Sequence, residues 1–392
     1  MYVGYNTYEF RAEARRIVPR GLFDFVDRGA EDEIALRNNR EQLDAIKLVP
    51  RVLRDTAQRT SATVLFGKPL SLPLAVAPTG AAGLLWHNGE LALAKAAAKA
   101  GVPFTASTAS LTAMERIASE AGGNLWFQLY VWPDRSMSNA LVERVDRAGY
   151  EALVVTVDNP VPPNREYNNR SGFTIPFRVT GRNARDVLRH PGWLARVLGR
   201  YALTTGLPRY ENYPTEVKQR FTGLPMGKSM PRTDALSWED LDHFRRVWPR
   251  TLLIKGILHP DDAELAIRHG ADGIIVSNHG GRVLDSAAAP VQALPAIVER
   301  VAGRISVLVD GAIMRGSDIV KAVALGANAV LAGRAPLYGL AVGGEAGAAR
   351  VLALLKEETE RVFALIGCSS PAELGREFLA LPGEGGRPPA RP

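Results

Sequence analysis

Short apolar runs recur along most of this chain, separated by stretches with helical spacing. The runs are Leu74–Ala77, Pro103–Ala106, Leu125–Leu129, Ala152–Val157, Leu252–Ile254, Gly273–Val276, Ile305–Val309 and Ala329–Ala332. Continuous β-branched and aliphatic runs of this length read as strands buried on both faces. Between them, Glu90–Ala100 is rich in Ala, Leu and Lys, and Pro260-Asp-Asp-Ala-Glu opens with acids that suit a helix start. Gly316–Gly326 begins with a capping serine, Ser317, and ends on glycine. Buried strands alternating with helices in this way predict an α/β fold, a (β/α)8 TIM barrel. A doubly wound sheet is the runner-up, but no strand is followed by a G-x-G-x-x-G dinucleotide fingerprint.

Two regions stand outside the alternation. Residues 1–70 precede the first strand, and Val18-Pro19 through Gly29 predicts a short helical cap on the barrel. Residues 159–250 separate the fourth and fifth strands, and a connection of that length is usually functional. Within it, Trp193, Leu194, Val197, Leu198 and Tyr201 share one helical face, with Arg196 and Arg200 nearer the other. Two readings remain open: a helix for a membrane surface or a partner, or a helix packed on its own barrel. Residues 1–380 are expected to form one domain that includes this basic insertion. The Gly/Pro-rich tail 383–392 is expected to be disordered.

Composition narrows the class. The 392 residues are 46% hydrophobic and 23% charged, enough apolar material for one large barrel or two ordinary domains. The net charge of +7 is concentrated between residues 168 and 234, where arginines and lysines from Arg170 to Arg232 face only Asp186, Glu211, Glu216 and Asp234. The rest of the chain is nearly neutral, so no nucleic-acid partner is expected. The single cysteine, Cys368, allows neither an intramolecular disulfide nor a cysteine metal cluster and reads as structural, and no metal site is expected. The start, Met1-Tyr-Val-Gly-Tyr-Asn, lacks a signal-peptide pattern, and no run of apolar residues is long enough to suggest a membrane span. The expected location is the cytoplasm. Peripheral membrane contact through residues 180–225 is the accompanying expectation, motivated by the charge cluster.

Barrel sites lie at the C-terminal ends of the strands, and these ends carry the chemistry. The sixth strand runs into Ser277-Asn278-His279-Gly280-Gly281-Arg282. Glycines let the backbone turn sharply beside a ligand, His279 can accept a proton near neutral pH, and Arg282 can hold a carboxylate through two hydrogen bonds. The other ends offer Pro78-Thr79-Gly80, Ser107, Gln128 with Tyr130, Thr156 with Asp158 and Arg165, Lys255, Asp310-Gly311 and Gly333-Arg334. Asp158 is a candidate partner for His279, favouring its charged form, or caps a turn. Lys255 is a cation for developing negative charge, or pairs with a nearby acid. Arg165 and Arg282 together suit a carboxylate. Gly311, Ala312 and Gly316 are expected to expose backbone N–H groups at the start of a helix, with Arg334 as a fixed cation, which suits a phosphate.

The stretch Ser277-Asn-His-Gly-Gly-Arg-Val-Leu-Asp285, with Asp24 to Asp32, Trp126-Phe-Gln-Leu-Tyr130 and Lys321 to Ala327, resembles the FMN-dependent L-2-hydroxy acid oxidoreductases over roughly residues 5–380. Pro78-Thr79-Gly80 with Leu85-Trp86 is most similar to the mandelate dehydrogenase branch. The resemblance implies oxidation of an L-2-hydroxy acid, aromatic and mandelate-like, with electrons passing to quinone or oxygen, in a homotetramer. It implies that His279 is the base, that Asp158 orients it, that Arg165 and Arg282 bind the substrate carboxylate, and that Tyr130 contacts substrate. It assigns Pro78, Thr79, Gly80, Ser107, Gln128, Thr156, Lys255 and Ser277 to the isoalloxazine and ribityl parts of FMN. Asp310, Gly311, Ala312, Gly333 and Arg334 are assigned to the ribityl and phosphate.

Three departures stand out. Phe25 replaces a tyrosine common in relatives and makes the substrate pocket more apolar. Met314 replaces an arginine near the phosphate, leaving Arg334, backbone N–H groups and Arg315 to compensate. Gly80 replaces the alanine of many oxidases. Three alternatives accompany this reading: a soluble oxidase producing peroxide, a flavin tailoring enzyme acting on a peptide or carrier-bound substrate, and a barrel that binds a phosphorylated ligand without redox chemistry.

Overall fold

The computed structural model describes residues 3–173, 180–214 and 236–382. The eight expected runs form eight parallel strands: β1 (Leu74–Val76), β2 (Phe104–Ser107), β3 (Leu125–Leu129), β4 (Ala152–Thr156), β5 (Thr251–Ile257), β6 (Gly273–Val276), β7 (Ser306–Val309) and β8 (Ala329–Ala332). Each pairs with the next in sequence, and β8 closes on β1 through Val330–Leu74, Leu331–Ala75 and Ala332–Val76. The barrel is therefore closed, and the doubly wound alternative is excluded.

Alternation along the strands sorts side chains between two cores. Ala75, Trp126, Val154, Leu253, Ile275, Leu308 and Leu331 fill the barrel interior, while Val76, Phe127, Val155, Leu252, Ile254 and Val276 join the larger core shared with the helices. A hairpin of strands Thr63–Leu65 and Lys68–Leu70 contributes Leu65 and Leu70 to the interior core, and its Phe66 meets the Trp126 ring edge-on at 6.0 Å. The N-terminal end of the barrel is thus plugged, which leaves the C-terminal end as its mouth.

The differences from expectation have local causes. β5 extends through Lys255 to Ile257, because a lysine masked a continuing strand, and it carries a bulge between Lys255 and Ile257. The helix after β7 spans Gly316–Ala324, so Ser317 lies inside its first turn rather than capping it. Its capping acceptor is Asp318, whose carboxylate takes the N–H groups of Met314 and Arg315, both at 2.9 Å. The N-terminal cap is built from helices Thr7–Ile17, Arg20–Asp27 and Ile34–Ala45, with Phe10, Leu22, Phe23 and Leu43 buried. The last helix, Arg334–Ile366, is long and apolar enough to cross a membrane by composition, yet it packs into the core and kinks at Gly343–Gly344. A Cβ on Gly344 would come within 2.5 Å of the Trp86 ring.

The insertion resolves one open reading. Three abutting helical pieces, Pro191–Leu194, Ala195–Gly199 and Arg200–Leu203, turn Trp193, Val197 and Tyr201 into the core, with Leu194 and Leu198 packed against it. The Trp193 indole N–H donates to the Leu84 carbonyl at 2.8 Å. Of the two open readings, the helix packed on its own barrel is therefore the one observed. Residues 215–225 of the insertion and the tail 383–392 lie outside the described residues. Cys368 is buried in a small cluster with Val320, Phe363, Ile366 and Phe378.

Candidate active site

His279 occupies the left-handed backbone region (φ 58°), followed by Gly280 (φ 64°) and Gly281 (φ 72°). A non-glycine residue held there costs about 1–3 kcal/mol and marks a place where function outweighs local preference. The turn aims the imidazole across the mouth. Its Nδ1 lies 2.8 Å from Asp158 Oδ1 and its Nε2 lies 3.3 Å from the Tyr130 hydroxyl. A carboxylate only accepts, so Nδ1 carries the proton and Nε2 presents its lone pair to the cavity.

Asp158 reaches this position because β5 gives way. Gly256 sits at the bulge with φ 114°, and a Cβ there would fall 2.5 Å from the Asp158 Cβ. Burial works against the Asp158 carboxylate, but His279 and Lys255 hold its pKa down to about 2. Burial also lowers His279, with Lys255 and Arg165 opposing its protonation and Asp158 favouring it. The pair at neutral pH is a carboxylate beneath a neutral imidazole, which is the state a general base requires.

Lys255 joins both carboxylates at the mouth, 3.3 Å from Asp310 and 3.6 Å from Asp158, and donates to Ser277 Oγ at 2.8 Å. Its acid-paired reading is therefore correct, and it remains a fixed cation facing the cavity. Ser277 Oγ donates to Asp310 Oδ2 at 2.9 Å and accepts the His279 N–H at 3.0 Å. Gln128 accepts from Ser107 Oγ at 3.0 Å and donates to Thr156 Oγ1 at 3.1 Å. Ser107, Gln128, Thr156, Lys255 and Asp310 share one cavity of about 1400 Å³ with Pro78, Thr79, Gly80, Gly311, Ala312, Met314, Gly333 and Arg334. Ser277, expected against the cofactor, is not among the lining residues and reaches the cavity through Lys255 and Asp310. That space exceeds the few hundred Å³ of a simple substrate pocket.

One buried carboxylate oxygen at its wall, Asp310 Oδ1, has no hydrogen-bond partner, whereas Asp158 Oδ2 lies 3.6 Å from the Lys255 ammonium. A polar atom left without a partner needs an external donor, and a flat heteroaromatic ring with a polyhydroxyl chain supplies donors and length of the right kind.

The arginines are arranged differently from one another. Arg165 Nε is 3.4 Å from the Arg282 carbonyl, and burial with Arg282 alongside lowers its pKa to about 10, leaving it charged at neutral pH. Arg282 donates to the carbonyls of Phe25 (2.7 Å), Arg28 (2.8 Å) and Val26 (3.3 Å). These carbonyls lie at the C-terminal end of helix Arg20–Asp27, its negative pole. Arg334 is held by the same end, through Val26 and Arg28, and by Gly280. Carbonyls orient a guanidinium without neutralising it, so the mouth keeps its positive charge for an anion.

Phe25 lies under Arg282, 5.5 Å from its guanidinium carbon, and its ring is 5.5 Å from that of Phe173. Tyr210 and Tyr213, stacked at 4.9 Å, line the same cavity.

Part of the expected phosphate site is corrected. The Gly316 N–H donates to Glu358 at 2.8 Å, so it is not exposed for a ligand. Arg315 is turned away and paired with Glu358, Nε at 3.0 Å and Nη2 at 2.9 Å, and does not stand in for the missing arginine at Met314. Gly311 and Ala312, with positive φ (103° and 59°), remain on the cavity wall, as do Gly333 and Arg334 at the start of the last helix. Sequence reading ended the fifth strand on Lys255-Gly256 without giving the glycine a role, and it quoted Asp285 without a task. Asp285 accepts the N–H groups of Asp32 and Ala35, each at 3.1 Å, docking the cap on the His279 loop. Asn278 and Asn39 reinforce that docking with reciprocal bonds of 2.9 and 2.7 Å.

The model of the FMN-dependent dehydrogenase family matches residues 14–381. The L-lactate dehydrogenase of Chromohalobacter salexigens is 42% identical, over 95% of this chain and 94% of its own. An L-lactate oxidase of Nostoc sp. is 42% identical, over 96% of this chain and 98% of its own. A crystal structure of the monotopic membrane protein (S)-mandelate dehydrogenase superposes with a TM-score of 0.91 at 38% identity, covering 97% of this chain and all of that one. The cavity that ends on His279 and Lys255 is thus that of a flavoenzyme, and the chain belongs to the FMN-dependent dehydrogenases, a family of 2-hydroxy acid dehydrogenases and oxidases whose cofactor is FMN.

Proposed function

We propose that this protein is a dehydrogenase that oxidises an L-2-hydroxy acid with an aromatic or bulky side chain to the 2-oxo acid. The observation that carries the reading is the convergence of His279–Asp158, Arg165 and Arg282 on a cavity walled by Phe25, Tyr210 and Tyr213. When bound, FMN supplies the two-electron acceptor. Residues 1–380 act as one domain, with Pro78, Thr79, Gly80, Ser107, Gln128, Thr156, Lys255 and Ser277 around the ring and ribityl. Asp310, Gly311, Ala312, Gly333 and Arg334 lie toward the phosphate. Arg165 and Arg282 hold the substrate carboxylate, and Tyr130 contacts the hydroxyl side. His279 Nε2 takes the hydroxyl proton, and Asp158 stabilises the imidazolium that results. Lys255 would supply a fixed positive charge beside the ring.

Anaerobic mixing of the FMN-loaded protein with L-mandelate and with L-lactate tests this. Faster loss of visible flavin absorbance with L-mandelate supports the aromatic reading, and faster loss with L-lactate refutes it. Admitting oxygen then separates dehydrogenase from oxidase: slow recovery of the absorbance supports electron transfer to quinone or another acceptor, fast recovery an oxidase. Inactivity on every free hydroxy acid would favour a larger peptide or carrier-bound substrate.

A peripheral membrane role is a second part of the proposal. Leu188, Leu203 and Leu207 are exposed on the insertion among Arg185, Arg189, Arg200 and Arg209, a mixture suited to an anionic bilayer surface. The similarity to a monotopic membrane protein points the same way. Replacing the exposed Leu188, Leu203 and Leu207 by serine is expected to weaken binding to anionic liposomes, and unchanged binding would sink the idea. A tetramer is the assembly proposed, with sedimentation as its check.

A further inference from the structure

Glu90 is a buried carboxylate that this chemistry leaves unused. It stands in the first turn of helix Gly89–Ala100 and is 1% exposed. Its Oε1 accepts the backbone N–H of Gly83 at 3.0 Å and that of Leu111 at 3.1 Å, and its Oε2 accepts the Thr112 hydroxyl at 2.9 Å. Burial pushes its pKa upward, and the hydrogen bonds from Gly83, Leu111 and Thr112 oppose that. Burying a carboxyl group is expensive unless it is hydrogen-bonded, so its position calls for an explanation beyond filling space.

Its donors come from two different loops. Gly83 belongs to the turn Ala82–Leu84 after β1, whereas Leu111 and Thr112 belong to the loop after β2. The same two loops are bonded directly by the Ala81 N–H and the Ala109 carbonyl at 3.0 Å. Immediately before that bond on one loop is Gly80, where an added Cβ would lie 3.2 Å from the Ala109 Cβ. Gly80, Ser107 and Ala109 all line the large cavity.

The insertion docks on the same junction. Tyr201 accepts the Asn88 N–H at 3.3 Å, the Glu211 N–H donates to the Ser110 carbonyl at 3.1 Å, and the Asn212 amide donates to the Ser107 carbonyl at 3.0 Å. A Cβ on Gly83 would meet the Tyr201 hydroxyl at 2.6 Å and Glu90 Oε2 at 3.2 Å. Hydroxyl, glycine and carboxylate therefore form one packed knot behind the cavity wall.

We propose that Glu90 is a positioning residue for the cofactor: by fastening the 78–84 loop to the 107–112 loop it sets the separation of Gly80 and Ser107 where the flavin ring binds, and it couples that separation to the docked insertion. An acceptor with no hydrogen of its own is what lets three donors converge on one side chain. The inference rests on the placement of FMN proposed above.

The test compares wild type with Glu90→Leu and Glu90→Gln, measuring the FMN dissociation constant by flavin fluorescence, the fine structure of the visible flavin band, and KM against kcat. Glu90→Leu strands two buried N–H groups and is expected to raise the FMN dissociation constant roughly tenfold or more and to alter the band, with KM little changed. Glu90→Gln keeps an acceptor for both N–H groups and is expected to restore most of the loss. A folded Glu90→Leu variant with wild-type FMN affinity and spectrum would overturn the proposal. So would a Glu90→Gln variant as impaired as Glu90→Leu. Should Glu90→Leu not fold, Thr112→Val removes one donor and is expected to shift affinity and spectrum in the same direction, and no shift would overturn the proposal. Wild-type protein that takes up no FMN would overturn the cofactor placement, and the inference with it.

Discussion

Asp158 lies 2.8 Å from His279 only because Gly256, on a different strand, has no side chain. Asp158 follows β4 and His279 follows β6, while Gly256 bulges out of β5 between them. The acid and the base are brought together by the space left beside a backbone kink.

That relationship makes Gly256→Ala informative. The added methyl collides with Asp158 and strains a φ of 114°. Displacement of the carboxylate by even about 1 Å is expected to lower kcat about a hundredfold. FMN content should stay near normal, since Gly256 is not among the residues lining the cavity. Rapid-mixing measurement of flavin reduction checks this, and an unchanged reduction rate would refute the dependence on Asp158.

The pH profile follows from the burial of His279. Its folded pKa lies below the ordinary imidazole value of 6.5, so the neutral base is fully present at neutral pH and is lost as pH falls through the depressed value. The acid limb of kcat/KM should therefore fall below pH 6.5. Asp158→Asn removes the group that favours protonation, so the limb should move lower still while the rate drops by about two orders of magnitude or more. A limb moving upward in that variant would contradict the assignment.

Met314→Arg tests how the phosphate is held. Arg315 is occupied by Glu358 and Asp318 caps the neighbouring N–H groups, so a cation at 314 should add a charge-assisted bond. FMN affinity is expected to rise about tenfold or more. Riboflavin, which lacks the phosphate, should gain nothing. Equal gains for both would place the effect elsewhere.

Gly80→Ala should be tight, because the new Cβ lies 3.2 Å from Ala109. A shift in the visible flavin band and slower reduction are expected, with substantial recovery in Gly80→Ala/Ala109→Gly. A double-mutant cycle measures the coupling, expected at about 0.5 kcal/mol or more for touching residues, and strict additivity would remove the steric explanation.

Much of this architecture is determined by local sequence. Each of the eight strands contains a short apolar run, and helical spacing follows most of them, so strand identity needs little knowledge of the partner, though Lys255 hid the end of β5. The strand ends likewise announce their chemistry, because Ser277, His279, Arg282, Lys255 and Asp310 are polar where packing alone would ask for apolar residues. Three-dimensional packing decided what local pattern cannot carry. The amphipathic face of Trp193, Val197 and Tyr201 looks the same whether it meets lipid or barrel, and only the neighbouring Leu84 carbonyl and the core beneath show that it turns inward. Arg315 is a cation near a glycine-rich turn in sequence, yet Glu358, forty-three positions later, claims it. The role of Gly256 depends on a side chain contributed by another strand, and Glu90 acts through donors from two loops. Periodicity records which face is apolar; which partner covers it is a matter of long-range contact, and that is what the fold supplies.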